Sequence, residues 1–312
     1  MKVLVTGGAG FIGQYVCEEL DKRGHSPVIY DHYDRGGYKH PVILGDVRDA
    51  AAVTEAMAHV DAWIHLAAVL GTQETIQNPR PAAESNIIGG LNMLEAAAQY
   101  DLPGVYIGVG NHWMQNTYSI SKTCVERFVA MFNAERGTRV NIVRAMNAYG
   151  PRQRPAPPFG TSKVRKITPA FVCRALSDMP VEVYGDGSQI SEMVYVGDVA
   201  KVLVTALEKA DSDIVFDKAV EVGRDEGITV QGFAQMVINA CGSSSNISNS
   251  PMRPGEIPNA TVKADSSTLS LVDMTWDSLT PLEVGLVKTV NYFADEKEKK
   301  AKASKPIFHH QV

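Results

Sequence analysis

Eight residues near the start of the chain, Thr6-Gly7-Gly8-Ala9-Gly10-Phe11-Ile12-Gly13, limit the fold more than any other segment. They follow a short apolar run, Lys2–Val5. They lead into Phe11–Gly24, whose apolar positions recur at helical spacing and end at a glycine. The order is strand, glycine loop, helix. The run satisfies both G-x-x-G-x-x-G and G-x-G-x-x-G. Glycines there permit a tight turn and close approach of backbone N–H groups to a pyrophosphate, which the helix N-terminus also attracts. A glycine-rich structural turn is the alternative, and the strand-to-helix context argues against it. Gly7, Gly10, Phe11, Ile12 and Gly13 are therefore candidate dinucleotide-binding residues.

The next strand, SPVIYD, ends at Asp31. A carboxylate there accepts from adenine ribose hydroxyls and repels a 2′-phosphate, which favours NAD over NADP. Arg35 nearby complicates that choice. Strand-like runs at 40–46, 61–68, 103–109 and 138–145 alternate with helical ones at about 49–59, from Pro81 to Tyr100, and at about 117–136. This alternation predicts an α/β fold with a doubly wound parallel sheet. The texture changes after Gly150. PRQRPAPPFG (151–160) reads as loop, GSSSNISNS (242–250) as polar and flexible, and the charge run from Asp295 as a solvated helix end or disordered tail.

With 312 residues the length suggests about two domains. Hydrophobic residues at 45% and charged residues at 21% exclude a disordered or collagen-like chain. A net charge of −5 speaks against non-specific nucleic-acid binding, which needs a basic face. Cys17, Cys124, Cys173 and Cys241 form no CxxC pair, so neither a disulfide framework nor a zinc site is expected, and a reducing cytosol fits. The histidines suggest no metal cluster. No apolar run reaches the roughly 18 residues of a membrane span. The glycines and Glu18-Glu19 argue against a signal peptide.

Tyr118 and Lys122, in TYSISK, share one helical face at i and i+4. A nearby ammonium and a positive nicotinamide ring would stabilise the phenolate. The phenol then exchanges protons with a substrate hydroxyl near neutral pH. A surface Tyr–Lys pair is the alternative, and the glycine loop tips the balance to catalysis.

Together these pieces resemble the extended short-chain dehydrogenases/reductases, in particular their nucleotide-sugar epimerase/dehydratase group. GDVRD (45–49), HLAA (65–68), NIIGGLNMLEAA (86–97), RAMNAYGPRQ (144–153), VYGDGSQISEMVYVGDVA (183–200) and RPGEI (253–257) resemble its landmarks, in order. The resemblance implies a Rossmann-type sheet with a smaller, discontinuous C-terminal substrate domain. The NAD-binding domain would comprise 1–152 and about 193–222, the substrate domain about 153–192 and 223–295, with 296–312 a charged tail. It adds Asp46, Val47, Leu66, Ala67, Ala68 and Asn86 as cofactor-binding residues, besides Tyr118 and Lys122. It implies Asn147 and Arg253 as ligands of a nucleoside-diphosphate sugar, and a homodimer formed through the helices at about 82–100 and 117–136. By analogy Tyr118 takes the C4 hydroxyl proton as hydride leaves, and Lys122 holds the nicotinamide ribose and lowers the Tyr118 pKa.

The chain departs from the group's pattern in three places. Ile107–His112 lacks the usual Ser or Thr, so Asn111 or His112 is left to polarise the substrate oxygen. No TDE-like acidic stretch precedes Tyr118, which favours an epimerase or simple ketoreductase over a dehydratase or decarboxylase. Ser191 stands where many members carry a diphosphate-binding Arg, and Arg165, Lys166 or Arg253 would compensate. The alternatives are an NAD(P)-dependent nucleotide-sugar reductase or dehydratase, or a catalytically impaired cofactor-binding scaffold.

Overall fold

The computed structural model describes residues 1–33, 36–162 and 164–303, the last three through their backbone. In chain order the elements are β1 (Lys2–Thr6), α1 (Phe11–Lys22), β2 (Ser26–Asp31), β3 (Val42–Leu44), α2 (Ala50–Met57), β4 (Ala62–His65), α3 (Glu74–Gln77), α4 (Pro79–Ala83), a π turn (Glu84–Ile88), α5 (Gly89–Tyr100), β5 (Gly104–Val109), α6 (Thr117–Arg136), β6 (Val140–Ala145) and β7 (Asn147–Tyr149). There follow α7 (Ile167–Ala175), β8 (Val181–Tyr184), β9 (Ile190–Ser191), β10 (Met193–Tyr195), α8 (Val196–Asp211), β11 (Val220–Val222), β12 (Ile228–Thr229), α9 (Val230–Ala240), β13 (Ile247–Ser250), β14 (Thr261–Val262) and α10 (Leu282–Ala303). The helix expected to run from Pro81 to Tyr100 is continuous through Glu84–Ile88, where its hydrogen bonding is of the π type.

Seven strands form one parallel sheet in the order β11-β6-β5-β4-β1-β2-β3. Strand order reverses between β1 and β4, and a crevice opens there at the carboxyl ends of a doubly wound sheet. Alternation along the strands divides the core. Val3, Val5, Ile64 and Val105 pack beneath Val16 and Leu20 of α1 and Leu203 and Leu207 of α8. Leu4, Trp63 and Tyr106 face the other way, onto Met93 and Leu94 of α5 and Val125, Val129 and Phe132 of α6. Burying both faces is what parallel sheets require.

A third cluster gathers Phe171, Val181, Val183, Phe233, Val237 and Phe293 around α7, α9 and α10. Here the structure corrects the reading of 242–250 as flexible. Ile247–Ser250 forms β13, parallel to Val181–Tyr184. Asp178 anchors the preceding turn by accepting from the Ser243 hydroxyl and the Ser244 N–H. Backbone pairing holds this strand, with Ile247 its one apolar contact to the cluster. The charge run from Asp295 continues α10 to Ala303, and 304–312 lie outside the described residues.

Between β5 and α6 sits a charged group. Glu126, 6% exposed, receives a bidentate Arg144 guanidinium at 2.5 and 3.1 Å, and Arg144 also reaches Glu221 at 3.1 Å. Removing one partner leaves a buried charge uncompensated. Arg144→Ala is expected to lower unfolding stability by about 3–5 kcal/mol, and Arg144→Leu combined with Glu126→Leu by clearly less. Urea denaturation of both variants checks this.

Candidate active site

The crevice is a cavity of about 1330 Å³. It is lined at one end by Gly7, Gly10, Phe11, Ile12, Gly13, Asp31, Asp46, Val47, Leu66, Ala67 and Ala68. Tyr118, Lys122 and Asn147 lie on its wall, and Arg253 lies with Arg165 and Lys166. The structure thus gathers the sequence-predicted residues around one space, with the exception of Asn86.

The glycine loop is shaped by absent side chains. Gly7 has φ +69°, a left-handed conformation that disfavours a Cβ, and a Cβ there would sit 2.9 Å from the Ala67 nitrogen. A Cβ on Gly13 would strike the Gly7 and Gly8 backbones. No side chain caps α1 at Gly10, so its first-turn N–H groups face the cavity. This cradle fits a pyrophosphate. Asp31 accepts from Ala9 N–H at 3.2 Å and Tyr33 N–H at 3.3 Å, leaving acceptor capacity beside the cavity. Arg35 lies outside the described residues. Asp46 is held by Arg48 at 2.5–3.0 Å, which keeps its carboxyl below the usual range.

Thr6 joins the two loops that border the cradle. Its hydroxyl oxygen accepts from Leu66 and Ala67 N–H, each at 3.2 Å. Its single proton therefore goes to His65 Nδ1, 2.6 Å away. His65 is fully buried and neutral, its pKa pushed down to about 3 by burial first and by Lys122 second.

Asn86 stands apart from the other expected cofactor-binding residues. It is 1% exposed and does not line the cavity. Its amide accepts from Val69 N–H at 2.8 Å and donates to the Ser121 hydroxyl at 2.9 Å. It clamps the loop after β4 to α6, a positioning task.

The start of α6 is fixed twice. Asn116 accepts from Ser119 N–H at 3.0 Å, a side-chain N-cap. Thr75 accepts from Tyr118 N–H at 3.2 Å. These contacts place Tyr118, Lys122 and Glu126 along one face. Lys122 is 1% exposed, with its ammonium 4.0 Å above the Tyr106 ring. Burial pushes Lys122 down to about 7, against the opposing pull of Glu126. Burial pushes Tyr118 up to about 12. The expected lowering of the Tyr118 pKa is therefore not present in the protein alone, because Lys122 points at an aromatic face.

At the far end Arg253 pairs with Glu256 and Arg165 pairs with Glu182 at 2.6 Å. The two guanidiniums lie 4.8 and 4.9 Å from the Tyr184 ring. Arg253 Nε and Arg165 Nη2 are buried without a hydrogen-bond partner. Lys166, its pKa lowered by burial, joins them on the lining. Asn147 donates to the Ser191 hydroxyl at 2.7 Å and to the Glu192 carbonyl at 3.1 Å, so its remaining acceptor is what a ligand meets. Thr75 and Tyr106 escaped the sequence reading. Their partners lie 43 and 16 residues away, and no spacing rule connects them.

The Lys122 shift has a pH signature. Its folded pKa of about 7 lies below its ordinary 10.5, so the unfolded chain binds more protons between those values. Stability contributed by this group rises with pH across that window. Lys122→Met should stabilise the cofactor-free protein most below pH 7 and progressively less towards pH 10. Thermal unfolding of both proteins at pH 6.5 and 9.5 measures this difference.

Comparison with known proteins places the fold and the site in one group. The model of the NAD dependent epimerase/dehydratase family matches residues 3–223. UDP-N-acetyl-alpha-D-glucosaminuronate decarboxylase of Bacillus cytotoxicus is 29% identical, over 94% of this chain and 98% of its own length. A putative UDP-glucose 4-epimerase of Methanocaldococcus jannaschii is also 29% identical, over 66% of this chain and 73% of that protein. The crystal structure of Thermus thermophilus UDP-glucose 4-epimerase in complex with NAD superposes with a TM-score of 0.81 at 28% identity, over 94% of this chain and 99% of that one. The glycine cradle, the acidic end of β2 and the Tyr118–Lys122 face thus sit in a chain that belongs to the NAD dependent epimerase/dehydratase family.

Proposed function

We propose that this protein is an NAD-dependent epimerase of a nucleoside-diphosphate sugar, working through a transient 4-keto sugar. One observation carries the choice within the family. Tyr118 and Lys122 face the cavity, and the segment leading to them, Ile107–Thr117, holds no carboxylate. The acidic residues lining the cavity are Asp31 and Asp46 at the β2 end, and Glu182 and Glu256, both held by arginines. Removal of water or carbon dioxide needs an acid or base near the sugar that this wall lacks.

Gly7, Gly10 and the α1 N-terminus would hold the NAD pyrophosphate, and Asp31 the adenine ribose. When bound, the nicotinamide accepts hydride and returns it. Lys122 would hold the nicotinamide ribose. A cationic ring beside Tyr118 favours its phenolate and opposes the rise that burial causes. Tyr118 then takes the C4 hydroxyl proton and gives it back. Asn147 would meet the sugar. Arg253, Arg165 and Lys166 offer the diphosphate unpartnered N–H groups and an ammonium, compensating for Ser191.

We also place the protein in the reducing cytosol, since its four cysteines are unpaired. No helix among the described residues is long and apolar enough to cross a membrane. The exposed Ile88, Ile120 and Met131, on the π turn and α6, mark the face through which we expect a homodimer. Light scattering should give twice the chain mass, and Met131→Lys with Ile120→Lys should give the monomer.

Incubation with NAD and a panel of nucleotide sugars in deuterium oxide tests the activity. An epimerised sugar that carries no solvent deuterium and no net NADH is expected. Deuterium gain with loss of water, release of carbon dioxide, or no turnover across the panel overturns the reading. Tyr118→Phe should lose about 10²–10⁴-fold in kcat while still binding NAD.

A further inference from the structure

We propose that the Asn111 side-chain amide donates a hydrogen bond to the sugar oxygen on which Tyr118 acts, a catalytic contact resting on the epimerase reading above. The packing of this chain explains why the donor moved. On β5 a Cβ at Gly108 would run into the Glu126 carboxylate that Arg144 holds. Just past β5, a Cβ at Gly110 would lie 2.6 Å from Met146 Sδ and 3.1 Å from its Cα. Neither position accepts a serine without displacing its neighbours. Val109 lines the cavity and is apolar. Gly110 lines it without a side chain, and the next lining residue, Asn111, is the first with a polar one.

Four hydroxyls around Tyr118 are already engaged, and Ser85 on the π turn, which also lines the cavity, is the competing donor. Thr75 donates to the Gly71 carbonyl at 2.6 Å and accepts from Tyr118 N–H. Ser121 donates to the Tyr118 carbonyl at 3.0 Å and accepts from Asn86. Thr123 donates to the Ser119 carbonyl at 2.8 Å. Ser119 donates to Asn111 Oδ1 at 3.4 Å, which sets the amide oxygen away from the cavity's needs. Asn111 Nδ2 is left with the Met114 sulfur at 3.1 Å, a weak acceptor. His112 does not line the cavity, and its Nδ1 is buried without a partner.

An amide N–H suits the task. As the C4–H bond breaks and the hydride goes to NAD, the C4–O bond gains its second bond and the hydroxyl proton passes to Tyr118. A donor aimed at that oxygen stabilises the charge that gathers there. The amide nitrogen only donates, so Tyr118 alone receives the proton.

Asn111→Ala and Asn111→Asp separate this role from a structural one. Asp keeps the shape and the acceptor for Ser119 but loses the donor. With the full-length protein, NAD and UDP-glucose, both variants should lose about 10²-fold in kcat, with KM within about threefold. Asn111→Ser should recover part of the loss. A crystal structure of Tyr118→Phe with NAD and UDP-glucose should place Asn111 Nδ2 within hydrogen-bond reach of the sugar. Wild-type kcat in Asn111→Asp or Asn111→Ala, a tenfold loss in Ser85→Ala without one in Asn111→Ala, or an amide turned from the bound sugar overturns the proposal. A wild-type protein that neither binds nor turns over UDP-glucose or the wider panel overturns the epimerase reading beneath it.

Discussion

The ion pair between Glu126 and Arg144 determines what the catalytic wall can carry. A carboxylate this deeply placed must keep its guanidinium partner, and together they take up the space above Gly108. That space is where a side chain from β5 would point towards α6. The same face of α6 carries Tyr118 and Lys122, so one helix presents a phenol, an amine and a structural anion at successive turns. The negative charge opposes the desolvation of Lys122 without touching it. Stability and chemistry are therefore coupled along that helix.

Burial acts in opposite senses on the two main groups of the wall. It drives Tyr118 towards the neutral phenol and Lys122 towards the neutral amine. The resting wall is thus low in charge, and on the proposed function charge would enter with the ligands, a nicotinamide ring beside Tyr118 and phosphates beside Arg253. The arginines around Tyr184 are held in ion pairs with Glu182 and Glu256. A chain of net charge −5 thereby keeps small cationic surfaces directed inward.

Much of this was legible in the sequence for a physical reason. Glycine loops, strand alternation and an i, i+4 pair are local patterns, and local geometry alone dictates them. The limits of α6 could be read because Asn116 and Gly137 cap it. What escaped depends on distant partners. Ser-Asn-Ser carries no apolar alternation, so β13 was invisible until Val181–Tyr184 offered it a backbone ladder. Asn86 was named through the family resemblance of its helix, and its amide turns to Val69 and Ser121. The reason for glycine at 108 lies 18 residues later in Glu126, which no reading of the strand could supply.

The short strands β9 and β10 follow one another with only Glu192 between them. β9 pairs with β12 and β14, while β10 pairs with β7, which continues from the central sheet. Glu192 itself is buried and accepts from Ala264 N–H at 2.7 Å. Two neighbouring peptide segments are thus stitched into different sheets on either side of the cavity floor. A wide swing of β9 away from β10 would tear backbone ladders on both sides of that stitch. The backbone ladders on both sides of Glu192 thus act as a hinge pinned at both plates, holding that stretch of the cavity wall rigid.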